Sequence, residues 1–481
     1  MRLTPIEPEI PEQGGFTAEN DIFGYREFGE RLANLVSNID EPLVINLDAP
    51  WGSGKSVFIK QWAGLMRARG GSVVYFDAFG NDVHDDAFLA LASEIHFLAK
   101  ETLGEDDSPT KTFLDTAKKV GKTFAPIGLR LAARAGTAGL LSFEDIQKGS
   151  DAVKAVVEAA GSETEKILEN TISEKLQKTR EEHALLESFR ESLMNVSKAI
   201  AEKGQKGGHH PLPLIFIVDE LDRCRPPFAL DVIERVKHLF SVQNVCFVLA
   251  MDLPQFKTAI RGAYGGEFDA GTYLEKFYHL KIMLPDPNYV SQKKRDRYIE
   301  YLWRNLKPEF RDNQDAELVL EEIRFLVNAH ELSLRKIERA LTNVVLAAAV
   351  ANESRWFIPP VVAGFCIMRQ THPALYERAQ ENNLTWEDIV SFLKIDGHKT
   401  VRRRGDKNMV EREQALIWWR YLVDPKMSQR DIDRHLGGFP QEGSFNDRRS
   451  IQRTLTNLID NLPNLPAHNT LTVRGKERRE N

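Results

Sequence analysis

The chain has 481 residues, more than one domain of roughly 100–200 residues uses, so two or three packed units are expected. With 42% hydrophobic and 28% charged residues it is not wholly disordered, and a formal net charge of −6 excludes a globally basic nucleic-acid coat. Three widely spaced cysteines, Cys224, Cys246 and Cys366, make neither a zinc pattern nor a disulfide framework and fit a reducing, cytoplasmic compartment.

In chain order, residues 1–20 are polar and Pro-rich, unlike a signal peptide, and read as a flexible entry segment. Phe28, Leu32, Leu35 and Ile39 then space a helix that Pro42 ends. The run 43–47 is short, apolar and β-branched, as a buried strand is. Residues 54–69 carry Val57, Phe58, Trp62, Leu65 and Met66 at helical spacing, and Gly70 and Gly71 stop that helix. Residues 73–76 read as a second strand. Between about 101 and 210 the chain is charged and helix-rich, and Leu185, Phe189, Leu193, Val196 and Ile200 form an amphipathic stripe. That stripe fits an arm or short coiled coil, or a helical insertion packed on its own domain. The apolar stretch 124–143 contains Arg130 and Arg134, Pro126, Gly128 and Gly136. A span needs about 20 largely uncharged residues, so no transmembrane helix is expected there. His209 and His210 are adjacent, lack metal-ligand spacing and read as loop residues.

Three further apolar runs, 214–218, 245–250 and 280–284, are nearly continuous in hydrophobic residues rather than alternating. Parallel strands covered on both faces have this pattern. With helices between them, the fold class is α/β with a parallel sheet. After Pro285 the chain turns mostly helical, at 298–306, 316–330 and 334–349, with shorter helical patterns from Ile358 onward.

The segment from Ala49 to Ser56, APWGSGKS, fits the phosphate-loop pattern with Ala49 at the first glycine position. Backbone N–H groups must wrap a polyphosphate, so small residues and glycines are needed there. Lys55 would neutralise the β- and γ-phosphates, the Ser56 hydroxyl can ligand Mg2+, and the following helix points its positive end at the anion. A β-branched strand before the loop and an amphipathic helix after it supply the confirming context. The strand 214–218 ends in Asp219-Glu220-Leu221-Asp222-Arg223. An aspartate at that strand end, Asp219, is placed to hold Mg2+ directly or through water. Glu220 is placed as general base toward water, with Asp222 as an alternative base or a helix cap.

PWGSGKS and VDELDRCRP together resemble the KAP group of P-loop NTPases. Residues 75–79 with Asp85 are similar to that family's aromatic–Asn–Ala–Trp segment, although Asp77 and Phe79 replace its usual Asn and Trp. Residues 249–252 are similar to its fourth strand, 273–277 with Leu284 and Pro285 to its Tyr-Leu-Glu-Lys segment, and 333–339 with Asn343 to its helical Pro-Arg-x-Ile-x-Arg motif. The resemblance covers about 20–350. It implies a P-loop NTPase core of sheet order 5-1-4-3-2 and an ATPase using ATP and Mg2+, with the nucleotide held by Pro50, Trp51, Gly52, Ser53, Gly54, Lys55, Ser56 and Val57. It also implies Asp252 near the sensor-1 position and Arg335 as a sensor arginine from a helical lid; read from the residues alone, Arg335 is equally a solvated or salt-bridged side chain. Many members carry membrane helices between the two Walker motifs, and this chain has only the Arg-containing 124–143 stretch there. Prokaryotic members often occur in phage-exclusion systems, which suggests a role in antiviral defence.

The expected domains are an N-terminal segment and lead-in helix (1–42), a nucleotide core in two parts (43–100 and 211–290), a helical insertion (101–210), a helical lid (291–355) and a C-terminal helical domain (356–481). Basic clusters at 293–297, Arg402 to Arg404 and 474–479, with Trp418, Trp419 and Tyr421, leave nucleic-acid contact open for the C-terminal part, although solvated loops and a core are the plainer reading. The expected assembly is a homo-oligomer, with Arg223 or Arg225 completing a neighbour's site, or a complex with a partner encoded in the same operon. Three readings result: an ATPase driving conformational change, a nucleotide-gated scaffold, and a nucleic-acid-binding adaptor with slow or no hydrolysis.

Overall fold

The computed structural model describes residues 8–39, 41–83, 86–124, 162–204, 212–285, 292–310, 313–351, 358–395, 407–424, 427 and 451–460. Asp85, the 124–143 stretch beyond Phe124, His209, His210, Arg402 to Arg404 and the 474–479 cluster lie outside them. The chain divides into two compact units, one over Pro8–Asp286 and one over Pro287–Asn481. Among the described residues no helix is long and apolar enough to cross a membrane.

The first unit is built on five parallel strands, β1 (Leu43–Asp48), β2 (Val73–Asp77), β3 (Leu214–Asp219), β4 (Val245–Met251) and β5 (Leu280–Met283), in the order β2-β3-β4-β1-β5. This is the expected order 5-1-4-3-2 read from the other edge. Every residue of β1, β3 and β4 is buried, which is why these runs carry no alternation. The edge strand β5 departs from the expectation of cover on both faces. Leu280, Lys281 and Met283 are exposed, and among the described residues β5 pairs only with β1.

On one sheet face, α1 (Arg26–Ser37) and α2 (Lys55–Ala68) lie close together. Phe58, Ile59, Trp62 and Met66 of α2 are fully buried. Residues 8–23 fold down beside α2, so the flexible entry segment expected from composition is not what these residues form. Gly14 N–H donates to Gly64 O at 2.9 Å, and Gln61 Nε2 donates to Asn20 O at 2.9 Å. A Cβ on Gly15 would come within 1.8 Å of Gln61 O, and Gly15 has φ +65°. Only glycine permits that backbone approach.

The opposite face is covered by α3 (Ala87–Thr102), α4 (Ser108–Phe124), the long α5 (Ser162–Gly204) and α6 (Pro226–Arg235). The amphipathic stripe of α5 is spent in this core: Phe189, Leu193, Val196 and Ile200 are fully buried. Phe189 packs against Phe88 at 5.2 Å, Phe113 at 5.6 Å and Phe240 at 5.4 Å between ring centroids.

The second unit is helical: α7 (Gln292–Leu306), α8 (Asn313–Ala329), α9 (Leu334–Ala351), α10 (Pro359–Thr371), α11 (Pro373–Gln380), α12 (Trp386–Phe392), α13 (Lys407–Val423) and α14 (Ile451–Asp460). Helix α10 is buried from Pro359 to Met368 and forms its centre. Trp419 and Tyr421 are buried and Trp418 is half-buried. Trp419 lies edge-on to Phe365 at 5.3 Å and in contact distance of Gly364. Trp419 and Tyr421 fill a core rather than offering a platform for bases. Within the 293–297 cluster, Arg295 is buried and its Nε donates to Asn328 Oδ1 at 2.8 Å.

Candidate functional site

Parallel strands gather their carboxyl ends on one edge of the sheet, where ligands of open α/β folds bind. Here those ends carry Asp48, Asp77, Asp219 and, just past β4, Asp252. From Asp48 the chain enters the loop Ala49 to Gly54. Gly52 and Gly54 take φ of +77° and +84°, values that favour residues without Cβ. The turn they make starts α2 at Lys55.

Lys55 is buried, and its Nζ donates to Ala49 O at 3.2 Å. Burial lowers its pKa from the ordinary lysine value; Asp222, then Asp219, Asp252 and Asp48, act against that shift. Ser53 is buried too, and its Oγ meets no hydrogen-bond partner among the described residues. Ser56 and Val57 are half-buried on the first turn of α2. Trp51 stands at the loop's outer corner, 44% exposed.

Two carboxylates hold Trp51. Its backbone N–H donates to Asp252 Oδ2 at 3.0 Å, and its indole Nε1–H donates to Asp222 Oδ2. Asp252 also caps the helix Leu253–Tyr264 through Gln255 N–H at 3.2 Å. Asp48 accepts from Leu253 N–H at 3.0 Å and pairs with Lys281 at 2.9 Å.

Asp219 is fully buried. Tyr75 OH donates to its Oδ2 at 2.8 Å, and Glu220 N–H donates to its Oδ1 at 2.8 Å. That carboxylate and burial push the Tyr75 hydroxyl well above the usual phenol range, burial being the larger cause. Glu220 takes φ +60°, a left-handed conformation uncommon outside glycine. Burial raises its pKa, and Arg223, with Nη1 2.7 Å from Glu220 Oε1, acts against that shift. Arg225 is engaged within its own chain, with Nε donating to Asp82 Oδ1 at 3.0 Å and its backbone N–H to Asp82 Oδ2 at 2.8 Å.

The first unit therefore brings together Lys55, Asp219, Glu220, Asp222 and Asp252 with the loop Pro50 to Gly54. Arg335 belongs to the second unit, where it is exposed on the first turn of α9. The residues that sequence reasoning missed are contacts, not types. Tyr75 on Asp219 and Trp51 between two aspartates follow from strand order, which no spacing in the chain reports.

The pattern that defines the KAP family P-loop domain matches residues 25–351, well over half of the chain. The chain belongs to the KAP family of P-loop NTPases. The KAP domain is a nucleotide-binding domain, and the matched residues include the glycine-turned loop just described. Over 173 residues the chain is 24% identical to an uncharacterized protein of Methanocaldococcus jannaschii, covering 35% of this chain and 83% of that one. The Aeropyrum pernix ORC2 protein, solved in ADPNP–ADP complexes, is 13% identical over 95% of this chain and 96% of its own, at a TM-score of 0.33.

Proposed function

We propose that this KAP protein binds ATP with Mg2+ and hydrolyses it to ADP and phosphate, using the free energy to change the conformation of an assembly. The observation that carries the reading is the pairing of a buried lysine at a glycine-turned loop with an aspartate–glutamate pair at the end of β3. The residues present suit a polyphosphate. Gly52 and Gly54 leave the turn without side chains at two positions with positive φ, Lys55 supplies a buried cation, and Ser53 Oγ is a buried hydroxyl with no partner among the described residues. Pro50 to Val57 would hold the phosphates. Among the described residues no three His, Cys, Asp or Glu side chains group closely enough to hold a metal by themselves. Mg2+ in phosphoryl-transfer sites usually takes one or two protein ligands and completes its shell with phosphate and water. Ser56 and Asp219 are the residues that would hold it, and it would neutralise charge on the phosphates.

In this reading Lys55 steadies phosphate charge, Glu220 orients and deprotonates water, and Tyr75 fixes the orientation of the Asp219 carboxylate. Arg335 is proposed as a sensor and Asp252 as the residue that ties loop geometry to the end of β4. The assembly would be a homo-oligomer or a complex with a separate partner protein, and an antiviral setting is carried over from the family resemblance alone.

The test is steady-state phosphate release together with ATP binding. Wild type is expected to turn over, Lys55→Ala to lose ATP binding, and Glu220→Gln to bind ATP with hydrolysis down by about 10²–10⁴-fold. Wild-type turnover no faster than that of Glu220→Gln sinks the enzyme reading. One observation favours a second reading, a nucleotide-gated scaffold with slow hydrolysis: Arg223 holds the Glu220 carboxylate at 2.7 Å, so the base is engaged before it meets water.

A further inference from the structure

We propose that Asp222 is a positioning residue that competes with nucleotide phosphate for Lys55 and links phosphate occupancy to Trp51. The inference rests on nucleotide binding at the phosphate loop, and it removes Asp222 from the candidates for general base.

Asp222 sits in the 3-10 turn Leu221–Arg223 that follows β3. Its side chain is 2% exposed. One of its oxygens, Oδ2, gathers three partners from three separate parts of the fold. Trp51 Nε1–H comes from the phosphate loop. The Asp252 N–H, at 2.9 Å, comes from the end of β4. Lys55 Nζ, at 3.8 Å, comes from the first turn of α2. A carboxylate this buried is costly unless its charge is met by cations and N–H donors, and these three groups are what meet it.

Lys55 is also the cation that a β- or γ-phosphate requires. A phosphate that draws the ammonium toward itself takes it from Asp222. The incoming anion also enters a pocket where Asp222, Asp219, Asp252 and Asp48 all act on Lys55. The negative charge of Asp222 therefore works against the nucleotide, while its hydrogen bonds keep the loop in shape. These two contributions have opposite signs, so they can be separated by substitution. Asn keeps a carbonyl oxygen to accept from Trp51 and Asp252 and removes the charge. Phe at position 51 keeps a ring and removes the indole donor.

The experiment is titration calorimetry of ATP with Mg2+ into the full chain, as wild type, Asp222→Asn and Trp51→Phe. A unit charge removed about 4 Å from the competing ammonium is expected to tighten ATP binding roughly tenfold. Trp51→Phe is expected to weaken binding several-fold. A role for Asp222 in folding alone predicts weaker binding in both variants, so unchanged or weaker binding by folded Asp222→Asn overturns the competition. Should Asp222→Asn fail to fold, an unchanged affinity in Trp51→Phe overturns the link. A second readout needs no nucleotide: the indole N–H resonance of Trp51 in tryptophan-labelled protein, assigned by its loss in Trp51→Phe. It is expected to move upfield in Asp222→Asn, and an unmoved resonance overturns the tether. Wild type that binds no ATP defeats the nucleotide reading, while the indole signal still decides whether Asp222 holds the loop.

Discussion

Glu220 combines a left-handed backbone with a carboxyl group half-covered by the end of the sheet. Because burial raises its pKa, the acid limb of kcat against pH should lie above the ordinary carboxylate value of about 4.3. Arg223 favours the charged form, so Arg223→Ala should move that limb to still higher pH; a limb that stays or falls argues against Glu220 as the base. At Asp219, Tyr75→Phe removes one of two hydrogen bonds to a fully buried carboxylate. A loss of about 1.5–3 kcal/mol is expected for a bond to a charged group, measured by urea unfolding. The turn between β1 and α2 was legible in the sequence because its glycines and Lys55 stand in eight consecutive residues. The bond from Trp51 to Asp222 spans 171 positions and was not, since it depends on β3 and β4 lying between β2 and β1. Asp252 entered only through the family resemblance, near the sensor-1 position; that it caps a helix and holds a loop N–H was not legible.

At the scale of elements, the apolar runs of β1, β3 and β4 announced buried strands because both faces of each are covered. The entry segment misled for a related reason. Its Pro, Gly and Asn content is that of a loop, yet Gly15 gives the backbone access to α2, and Asn20, buried beside Gln61, spends its side-chain amide on Gly15 O at 2.8 Å. Gly15→Ala should cost at least about 2 kcal/mol, from overpacking plus a left-handed alanine. A urea midpoint equal to wild type would show that the segment does not depend on that contact. The stripe of α5 was legible as a period, but period alone does not name the surface it meets. Phe189 meets three aromatic rings, and Phe189→Ala should cost about 3–5 kcal/mol, read from the same unfolding curves.

At the scale of the whole chain, two compact units should respond separately to core damage. Phe189→Ala should lower the calorimetric transition of the first unit, and Trp419→Ala that of the second, by about 3–5 kcal/mol each. A single transition lowered equally by both would mean that the units unfold as one. The insertion in the first unit also affects how the sheet is made. Strands β2 and β3 are neighbours, with Val73 paired to Ile215, but about 140 residues of chain lie between them. Relative to a thirty-residue crossover, closing that loop costs only about 1.4 kcal/mol more. In time the cost is larger. At roughly 5–20 residues per second of synthesis, β3 leaves the ribosome about 7–28 s after β2. Through that interval the edge of β2 that β3 will cover is open to strands of other nascent chains. The period in which the sheet stands most open during synthesis is therefore set by where the insertion interrupts it, before strands β3 and β4 exist.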